Sequence, residues 1–181
     1  MLAESERTTA LIENLMTLAR ADTGSENLLF HKTNISEIAA EVCTQAQTLS
    51  EAKQLHWSAI IPDMAIWVRG DANALRRLLL ILIDNAVKYT PPAGTVGMSL
   101  QRNGTHAEIR VCDTGIGISE ADLPHIFERF YRADKARSRE FGGAGLGLSI
   151  GRWIANAHGG EIKVESSSNG SVFLLLLPIA S

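Results

Sequence analysis

Cysteine is scarce in this sequence: Cys43 and Cys112 are the only two among 181 residues. Two thiols cannot build a disulfide framework, and this pair does not have the spacing of metal ligands. We therefore interpret both as small core residues. The scarcity excludes the disulfide-rich secreted domains and makes a reducing cytosol the default compartment.

Long hydrophobic runs and an excess of positive charge are also missing. The most apolar stretch, residues 75–86, contains two arginines and an aspartate, so it is too short and too charged to span a bilayer. Residues 1–20 carry several charged side chains and do not form a signal peptide. A net charge of −3 argues against a general nucleic-acid binder. We expect a cytoplasmic segment that binds no nucleic acid; an inner-membrane anchor remains open for a longer parent chain.

The spacing of apolar residues predicts helices and strands in alternation. Asn34 or Ser36 is the predicted cap of one helix, and Asp71 is the predicted cap of another. Two Asn-Gly pairs, at 103–104 and 169–170, predict β-hairpins. The predicted helices cover residues 4–21, 34–52, 71–90 and 145–158, and the predicted strands cover 28–32, 54–61, 66–69, 95–101, 106–112, 161–166 and 171–177. This order predicts an α/β fold in which helices cover one face of a mixed sheet.

The stretch Asp84-Asn85-Ala86-Val87-Lys88-Tyr89-Thr90 lies near the end of a predicted helix. Asn85, Lys88 and Tyr89 are three and four residues apart, so they share one face of that helix. The amide oxygen can ligate magnesium, which prefers oxygen donors. The ammonium group can pair with phosphate oxygens, and the tyrosine can line a ribose or a base. A solvated helix end is the alternative interpretation.

The stretch Asp113-Thr114-Gly115-Ile116-Gly117 follows a predicted strand. An aspartate at the rim of an apolar pocket can accept a hydrogen bond from the exocyclic amine of adenine, whereas guanine presents a carbonyl there. Ile116 and Ile118 supply apolar walls, and the glycines allow the backbone to approach the ring. The alternative is an ordinary Asp-Thr-Gly turn.

A second glycine run, Gly142-Gly143-Ala144-Gly145-Leu146-Gly147, leads into a predicted helix. Backbone N–H groups at a helix N-terminus favour anions, so this run can hold phosphates. It is not a Walker motif, because no Gly-Lys-Ser/Thr follows. It is not a Rossmann fingerprint either, because no strand directly precedes it. A flexible linker is the alternative.

A charged segment separates the two glycine runs. Phe127, Phe130 and Tyr131 are predicted to anchor the base of a lid, and Arg132 adjoins them. The cationic side chains that follow could fold over phosphates, with a solvated loop as the alternative. They are Lys135, Arg137 and Arg139.

Taken in order, these motifs resemble the catalytic ATP-binding domain of bacterial sensor histidine kinases. That domain belongs to the superfamily of gyrase, heat-shock chaperone, histidine kinase and mismatch-repair ATPases. The resemblance implies a two-layer α/β sandwich of the Bergerat type, preceded by one N-terminal helix. It implies that residues 28–181 form the catalytic ATP-binding domain. Residues 1–23 resemble the second helix of the dimerisation and phosphoacceptor hairpin.

The implied ligands are ATP and Mg²⁺, with Asn85 on the metal, Lys88 on phosphate, Tyr89 near the nucleoside and Asp113 on the adenine amine. Asn85, Lys88 and Arg132 are the expected catalytic residues. The full set expected to bind ATP is Asn85, Lys88, Tyr89, Asp113, Gly115, Ile116, Gly117, Ile118, Phe130, Arg132, Gly143, Ala144, Gly145, Leu146, Gly147 and Leu148.

Two positions depart from the pattern of the family. Ile81 stands where the family often has asparagine, and where ATP-hydrolysing members of the superfamily have a glutamate base. Isoleucine can neither take a proton nor bind metal, so efficient hydrolysis is not expected. Ala144 stands where threonine is usual, which removes one hydroxyl contact and weakens binding.

The phosphoacceptor is the larger gap in the pattern. A kinase of this family needs a histidine followed by an acidic residue, and none of the five histidines has one. They are His31, His56, His106, His125 and His158. We therefore expect a histidine kinase domain that transfers the γ-phosphate of ATP to a histidine outside this chain, for relay to a response regulator. The chain alone is not expected to autophosphorylate. The expected partners are the phosphoacceptor helix, the response regulator and a second copy that pairs weakly through residues 4–21.

Two other functions remain open from the residues alone. A nucleotide-binding regulatory module without phosphotransfer is favoured by Ile81 and Ala144. A self-contained ATPase is opposed by Ile81.

Overall fold

The computed structural model describes residue 12 and residues 14–19, 28–133 and 144–180. A helix, α1, covers residues 14–19. The other helices are α2 (Ile35–Ala52), α3 (Ala72–Tyr89) and α4 (Gly147–Ala157). The strands are β1 (His31–Asn34), β2 (His56–Ile60), β3 (Trp67–Gly70), β4 (Thr95–Asn103), β5 (His106–Asp113), β6 (Glu161–Ser167) and β7 (Gly170–Pro178).

Five strands form one mixed sheet in the order β2-β4-β5-β7-β6. β2 runs parallel to β4, and the other neighbours pair antiparallel. β1 and β3 form a separate antiparallel pair. The parallel pair requires a long connection between its strands, and this connection contains α3.

The core lies on one face of the large sheet. Alternate residues of β4, β5 and β7 are buried there against apolar stripes of α2, α3 and α4, because successive side chains of a strand point to opposite faces. The strand residues are Val96, Met98, Leu100, Ala107, Ile109, Val111, Phe173, Leu175 and Leu177. The predicted α/β class, with a mixed sheet, helices on one face and an N-terminal helix, is confirmed.

The helix starts follow local rules. Asn34, rather than Ser36, caps α2 by accepting a hydrogen bond from the Ser36 N–H. Asp71 caps α3 through the N–H groups of Asn73 and Ala74. α4 begins two residues later than predicted, because Gly145 has a φ of 70° and cannot join the helix.

For residues 119–131 the sequence predicts a short helix and turn, and the structure has turns without a helix there. Within the described ranges, no helix is both long and apolar enough to cross a membrane.

Candidate functional site

A cavity of about 850 Å³ lies between α3, the loop after β5 and the start of α4. The end of α2 and the start of β7 complete its wall through Lys53, Ser171 and Phe173. The fold therefore brings the three sequence motifs to one hollow.

The α3 wall carries an amide, Asn85, and a cation, Lys88. The side-chain amide of Asn85 donates to the carbonyl of Ile81 at 2.8 Å. That bond uses the nitrogen, so the amide oxygen is the atom that suits a hard cation. The Lys88 ammonium lies 5.2 Å from the centre of the Tyr89 ring. Burial lowers the pKa of Lys88, and the carboxylate of Asp84 opposes that shift.

Asp113 ends β5 and is half-buried at the cavity. Its carboxylate accepts a hydrogen bond from the Gly115 N–H at 2.8 Å. Burial raises the pKa of Asp113, while the backbone hydrogen bonds from Gly115 and Ser171 lower it. The group is a hydrogen-bond acceptor in a poorly solvated place. Such a group penalises a ligand that does not donate to it.

The loop after Asp113 is fixed to the hairpin of β6 and β7. Gly117 has a φ of 69°, and a side chain there would overlap the carbonyl of Ser167. The Ser166 hydroxyl accepts from the Ile118 N–H at 2.8 Å and donates to the Gly170 carbonyl at 3.0 Å. The glycine is required by this close approach, and Ser166 holds the loop in place.

The second glycine run meets the cavity where α4 begins. Ala144, Gly145 and Leu146 line the cavity, and Leu146 occupies the N-cap position without a side-chain hydrogen bond among the described residues. The first N–H groups of a helix lack intrahelical partners, so this end can accept an anion. Ile81 packs beside Gly147, 3.5 Å from where a β-carbon would stand.

The segment before the second glycine run is anchored by backbone contacts. Phe127 is buried, and Arg152 both donates to its carbonyl at 3.2 Å and covers its ring at 5.3 Å. The N–H of Phe130 donates to the Gly145 carbonyl at 2.9 Å, while its side chain is exposed. The Tyr131 hydroxyl donates to Asp122 at 2.6 Å. The segment brings Arg132 to the cavity wall.

α1 reaches the far end of the same cavity. Arg77 of α3 donates to the Thr17 hydroxyl at 3.0 Å and to the Asn14 side-chain oxygen at 2.8 Å. Leu18 is buried, and Asn14 lines the cavity. The N-terminal helix therefore contacts the first half of α3, whereas Lys53 contacts the last turn of that helix.

Comparison with known proteins identifies the family. Residues 70–181 match the family described as "Histidine kinase-, DNA gyrase B-, and HSP90-like ATPase". The chain belongs to this family. These residues contain α3, both glycine runs and all the residues that line the cavity except Asn14 and Lys53.

Similar proteins are sensor histidine kinases. The chain is 36% identical over 180 residues to the sensor-like histidine kinase SenX3 of Mycolicibacterium smegmatis, covering 98% of the chain and 46% of that protein. It is 33% identical over 174 residues to the circadian input-output histidine kinase CikA of Synechococcus elongatus, covering 93% of the chain and 23% of that protein. The chain thus spans less than half the length of these curated relatives. It contains an ATP-binding catalytic domain of the histidine kinase type.

Solved structures have the same fold. The mycobacterial sensor histidine kinase MprB superposes with a TM-score of 0.69 at 27% identity, covering 83% of this chain and 98% of that one. Full-length ShkA, solved in complex with AMPPNP, superposes with a TM-score of 0.84 at 26% identity, covering 98% of this chain and 37% of that one. The second match extends over nearly the whole chain.

Most of the predicted site residues of this histidine kinase-like domain line the cavity. They are Asn85, Lys88, Tyr89, Asp113, Ile116, Gly117, Ile118, Arg132, Ala144, Gly145, Leu146, Gly147 and Leu148. Gly115 and Phe130 do not line the cavity, but their backbone N–H groups donate to Asp113 and Gly145, which do. Gly143 lies outside the described residues, as do Lys135, Arg137 and Arg139.

Sequence reasoning missed several residues of the site. Lys53, Ser171 and Phe173 line the cavity, and Ser166 supports it from behind. Asn14 and Arg77 join α1 to it. The apolar run of β7 marks Phe173 as a candidate core residue, but no local signal marks the others. Their roles depend on which segments the fold brings together.

Proposed function

We propose that this chain is the ATP-binding catalytic part of a sensor histidine kinase that transfers the γ-phosphate of ATP to a histidine outside residues 1–181. The observation that carries the proposal is that Asp113 and Asn85 line one cavity. The first is suited to an adenine amine and the second to a divalent ion. The complex of ShkA with AMPPNP supports an ATP-type ligand for this fold.

Each end of the nucleotide has suitable partners. Asp113 accepts the adenine amine, and Ile116, Ile118 and Phe173 supply apolar walls for the ring. Lys88 and Arg132 neutralise phosphate charge, and the N-terminus of α4 contributes N–H donors.

Magnesium fits the donors that are present. No cluster of three or more His, Cys, Asp or Glu side chains that could hold a metal occurs among the described residues. Magnesium, however, is often held by few protein oxygens together with substrate phosphates and water. Asn85 would be its ligand here. When bound, the ion neutralises charge on the phosphates.

In the transfer, an imidazole nitrogen of the acceptor histidine forms a bond to the γ-phosphorus. The bond from that phosphorus to the β,γ-bridging oxygen breaks, ADP leaves with the electron pair, and the imidazole loses its proton to solvent or a base. The chain contributes positioning and charge neutralisation, as phosphoryl transfer generally requires. An aspartate of a response regulator would then receive the phosphate.

The proposal also assigns the two parts of the chain. Residues 28–181 form the catalytic domain, and residues 1–23 belong to the second helix of the dimerisation and phosphoacceptor hairpin. The position of α1 against α3 supports a helix that presents the acceptor hairpin to the cavity. The exposed apolar residues Ile12, Leu15 and Met16 support pairing with a further helix or a second copy.

Binding selectivity tests the site. We expect Asp113→Asn to weaken ATP binding by more than about tenfold. The one oxygen that the amide keeps is needed by the Gly115 N–H, so an NH2 donor would face the adenine amine. Calorimetry with ATP and GTP measures this loss, and Asp63→Asn at an exposed position is the matched control. Equal affinity of the native chain for ATP and GTP would contradict the role of Asp113.

A transfer assay separates kinase from binding module. The chain is mixed with radiolabelled ATP and a separate hairpin that contains the acceptor histidine. Label on the histidine supports the kinase. Tight ATP binding without label supports the regulatory module, which Ile81 in the cavity wall and Ala144 favour.

A further inference from the structure

The last turn of α3 is held by an unusual set of partners. The last four carbonyl oxygens of a helix have no intrahelical donor. The carbonyl of Ala86 accepts from the Thr90 hydroxyl at 2.6 Å, and the carbonyl of Tyr89 accepts from the Ile116 N–H at 3.2 Å. The carbonyls of Val87 and Lys88, which lie between these two, need donors from elsewhere.

Lys53 supplies both remaining bonds. Its ammonium donates to the carbonyls of Val87 and Lys88, at 2.7 Å and 2.6 Å. A cation at this position also complements the partial negative charge at a helix C-terminus. One side chain from the end of α2 thus completes the end of α3.

The backbone that carries Lys53 is fixed in turn. Gln54, the next residue, has a φ of 57°, so the chain turns sharply there. The N–H of Ala93 donates to the Gln54 carbonyl, and the N–H of His56 donates to the Gly94 carbonyl, both at 2.8 Å. The corner after α2 is therefore bonded to the turn after α3. The backbone position from which Lys53 reaches α3 is therefore fixed.

The same turn of α3 carries two residues of the cavity wall. Lys88 and Tyr89 both line the cavity, and Lys53 lines it beside them. The carbonyl of Lys88 is itself an acceptor of the Lys53 bond. A change at Lys53 therefore acts on the backbone from which Lys88 reaches the cavity.

We propose that Lys53 is a positioning residue of the nucleotide site, which fixes the last turn of α3 and thereby holds Lys88 toward the phosphates. This inference rests on the proposed function, because it takes Lys88 as a phosphate ligand. It extends that function to a residue outside every nucleotide motif of the sequence.

The test uses the whole chain with magnesium and ATP. We expect Lys53→Met to weaken ATP binding by about tenfold in calorimetry, since the carbonyls that it leaves lose charge-assisted hydrogen bonds. Lys53→Arg keeps a cationic donor and is expected to retain most of the affinity. The matched control is Lys163→Met, which removes an exposed lysine paired with Glu161. Lys53→Gln is the second neutral variant, measured if the methionine variant does not fold, with the same loss expected.

A double-mutant cycle separates positioning from general stability. If Lys53 acts through Lys88, the double variant Lys53→Met/Lys88→Met binds ATP no more weakly than Lys88→Met alone. Independent, additive losses would overturn the inference. So would a lower unfolding midpoint for Lys53→Met with native ATP affinity in the folded protein.

The same cycle tests the role of Lys53 separately from the role of Lys88. Weaker binding for Lys88→Met with native binding for Lys53→Met overturns the role of Lys53 alone. Native binding for Lys88→Met overturns both the inference and the phosphate role of Lys88.

Discussion

The two ends of α3 are both closed by hydrogen bonds, but by different kinds of partner. At the first end, the Asp71 carboxylate accepts from the N–H groups of Asn73 and Ala74, and also from that of Leu29. The N–H of Asp71 donates to His158 at 3.0 Å. At the second end, the partners are Lys53 at the end of α2, the Ile116 N–H of the glycine loop and the Thr90 hydroxyl.

The first end of α3 contributes to stability alone, whereas the second end also contributes to the cavity wall. Asp71 and His158 do not line the cavity, so the first end ties α3 to α4 and to the segment before β1 without touching the ligand site. The second end forms part of the wall. Changes at the first end should therefore alter the free energy of unfolding, whereas changes near the second end should also alter ATP affinity.

The largest effect is expected near the second end. Asn85→Ala removes the oxygen assigned to magnesium, so we expect it to abolish magnesium-dependent ATP binding. Calorimetry with magnesium and with a chelator measures this dependence. Asn73→Ala, at an exposed position near the first end, is the matched control and should bind as the native chain does. Unchanged affinity for Asn85→Ala would refute the assignment.

Asp71→Ala should lower stability without changing ATP affinity. Loss of this N-cap is expected to lower the free energy of unfolding by about 1–2 kcal/mol. The ATP dissociation constant of the folded protein should remain native. Urea unfolding and calorimetry on the same sample measure both quantities. A weaker ATP affinity at full folding would show that the two ends are coupled.

Thr90→Val probes the second end with a smaller change. Thr90 is fully buried, and valine of similar shape leaves the Ala86 carbonyl without its donor. We expect a loss of about 1 kcal/mol in the free energy of unfolding. ATP affinity should fall less than in Lys53→Met, because the carbonyls of Val87 and Lys88 keep their partner. An equal fall in the two variants would contradict the special role of Lys53.

The smallest effect is a pH dependence at the first end. Burial lowers the pKa of His158 in the folded chain, and the neutral ring accepts from the Asp71 N–H. The unfolded state therefore binds the proton more readily. The contribution of His158 to stability is complete above its ordinary pKa of about 6.5 and is lost as the pH falls from there through the folded pKa.

Urea unfolding from about pH 8 to about pH 5 measures this loss. His158→Gln should reduce the slope of stability with pH, and His56→Gln, at an exposed position, should leave it unchanged. An unchanged slope in His158→Gln would show that His158 does not cause the pH dependence of stability.

Local rules predicted much of the fold. The caps at Asn34 and Asp71, the hairpins at the Asn-Gly pairs and the apolar stripe of α3 each depend on residues a few positions apart. The three nucleotide motifs were also legible, because each carries its chemistry within a short segment. Their meeting at one cavity followed from the resemblance to a family, and the structure supports it.

The residues that hold the site in place could not be predicted from the sequence. Lys53 and Lys88 are 35 positions apart, and Arg77 and Asn14 are 63 apart. Ser166 meets the N–H of Ile118 from 48 positions away. Nothing local distinguishes such side chains from ordinary polar residues. Their partners are backbone groups for Lys53 and Ser166 and side chains for Arg77, and only the tertiary fold brings these partners near.

The bonds between the glycine loop and its neighbours have a consequence for engineering. Thr114 and Thr95 are joined twice, by the Thr114 N–H to the Thr95 carbonyl at 3.0 Å and by the Thr95 N–H to the Thr114 hydroxyl at 2.8 Å. A loop imported from a relative without a hydroxyl at position 114 would leave the Thr95 N–H without this acceptor. A graft intended to change base preference should therefore exchange residues 89–95 and 113–118 as one block.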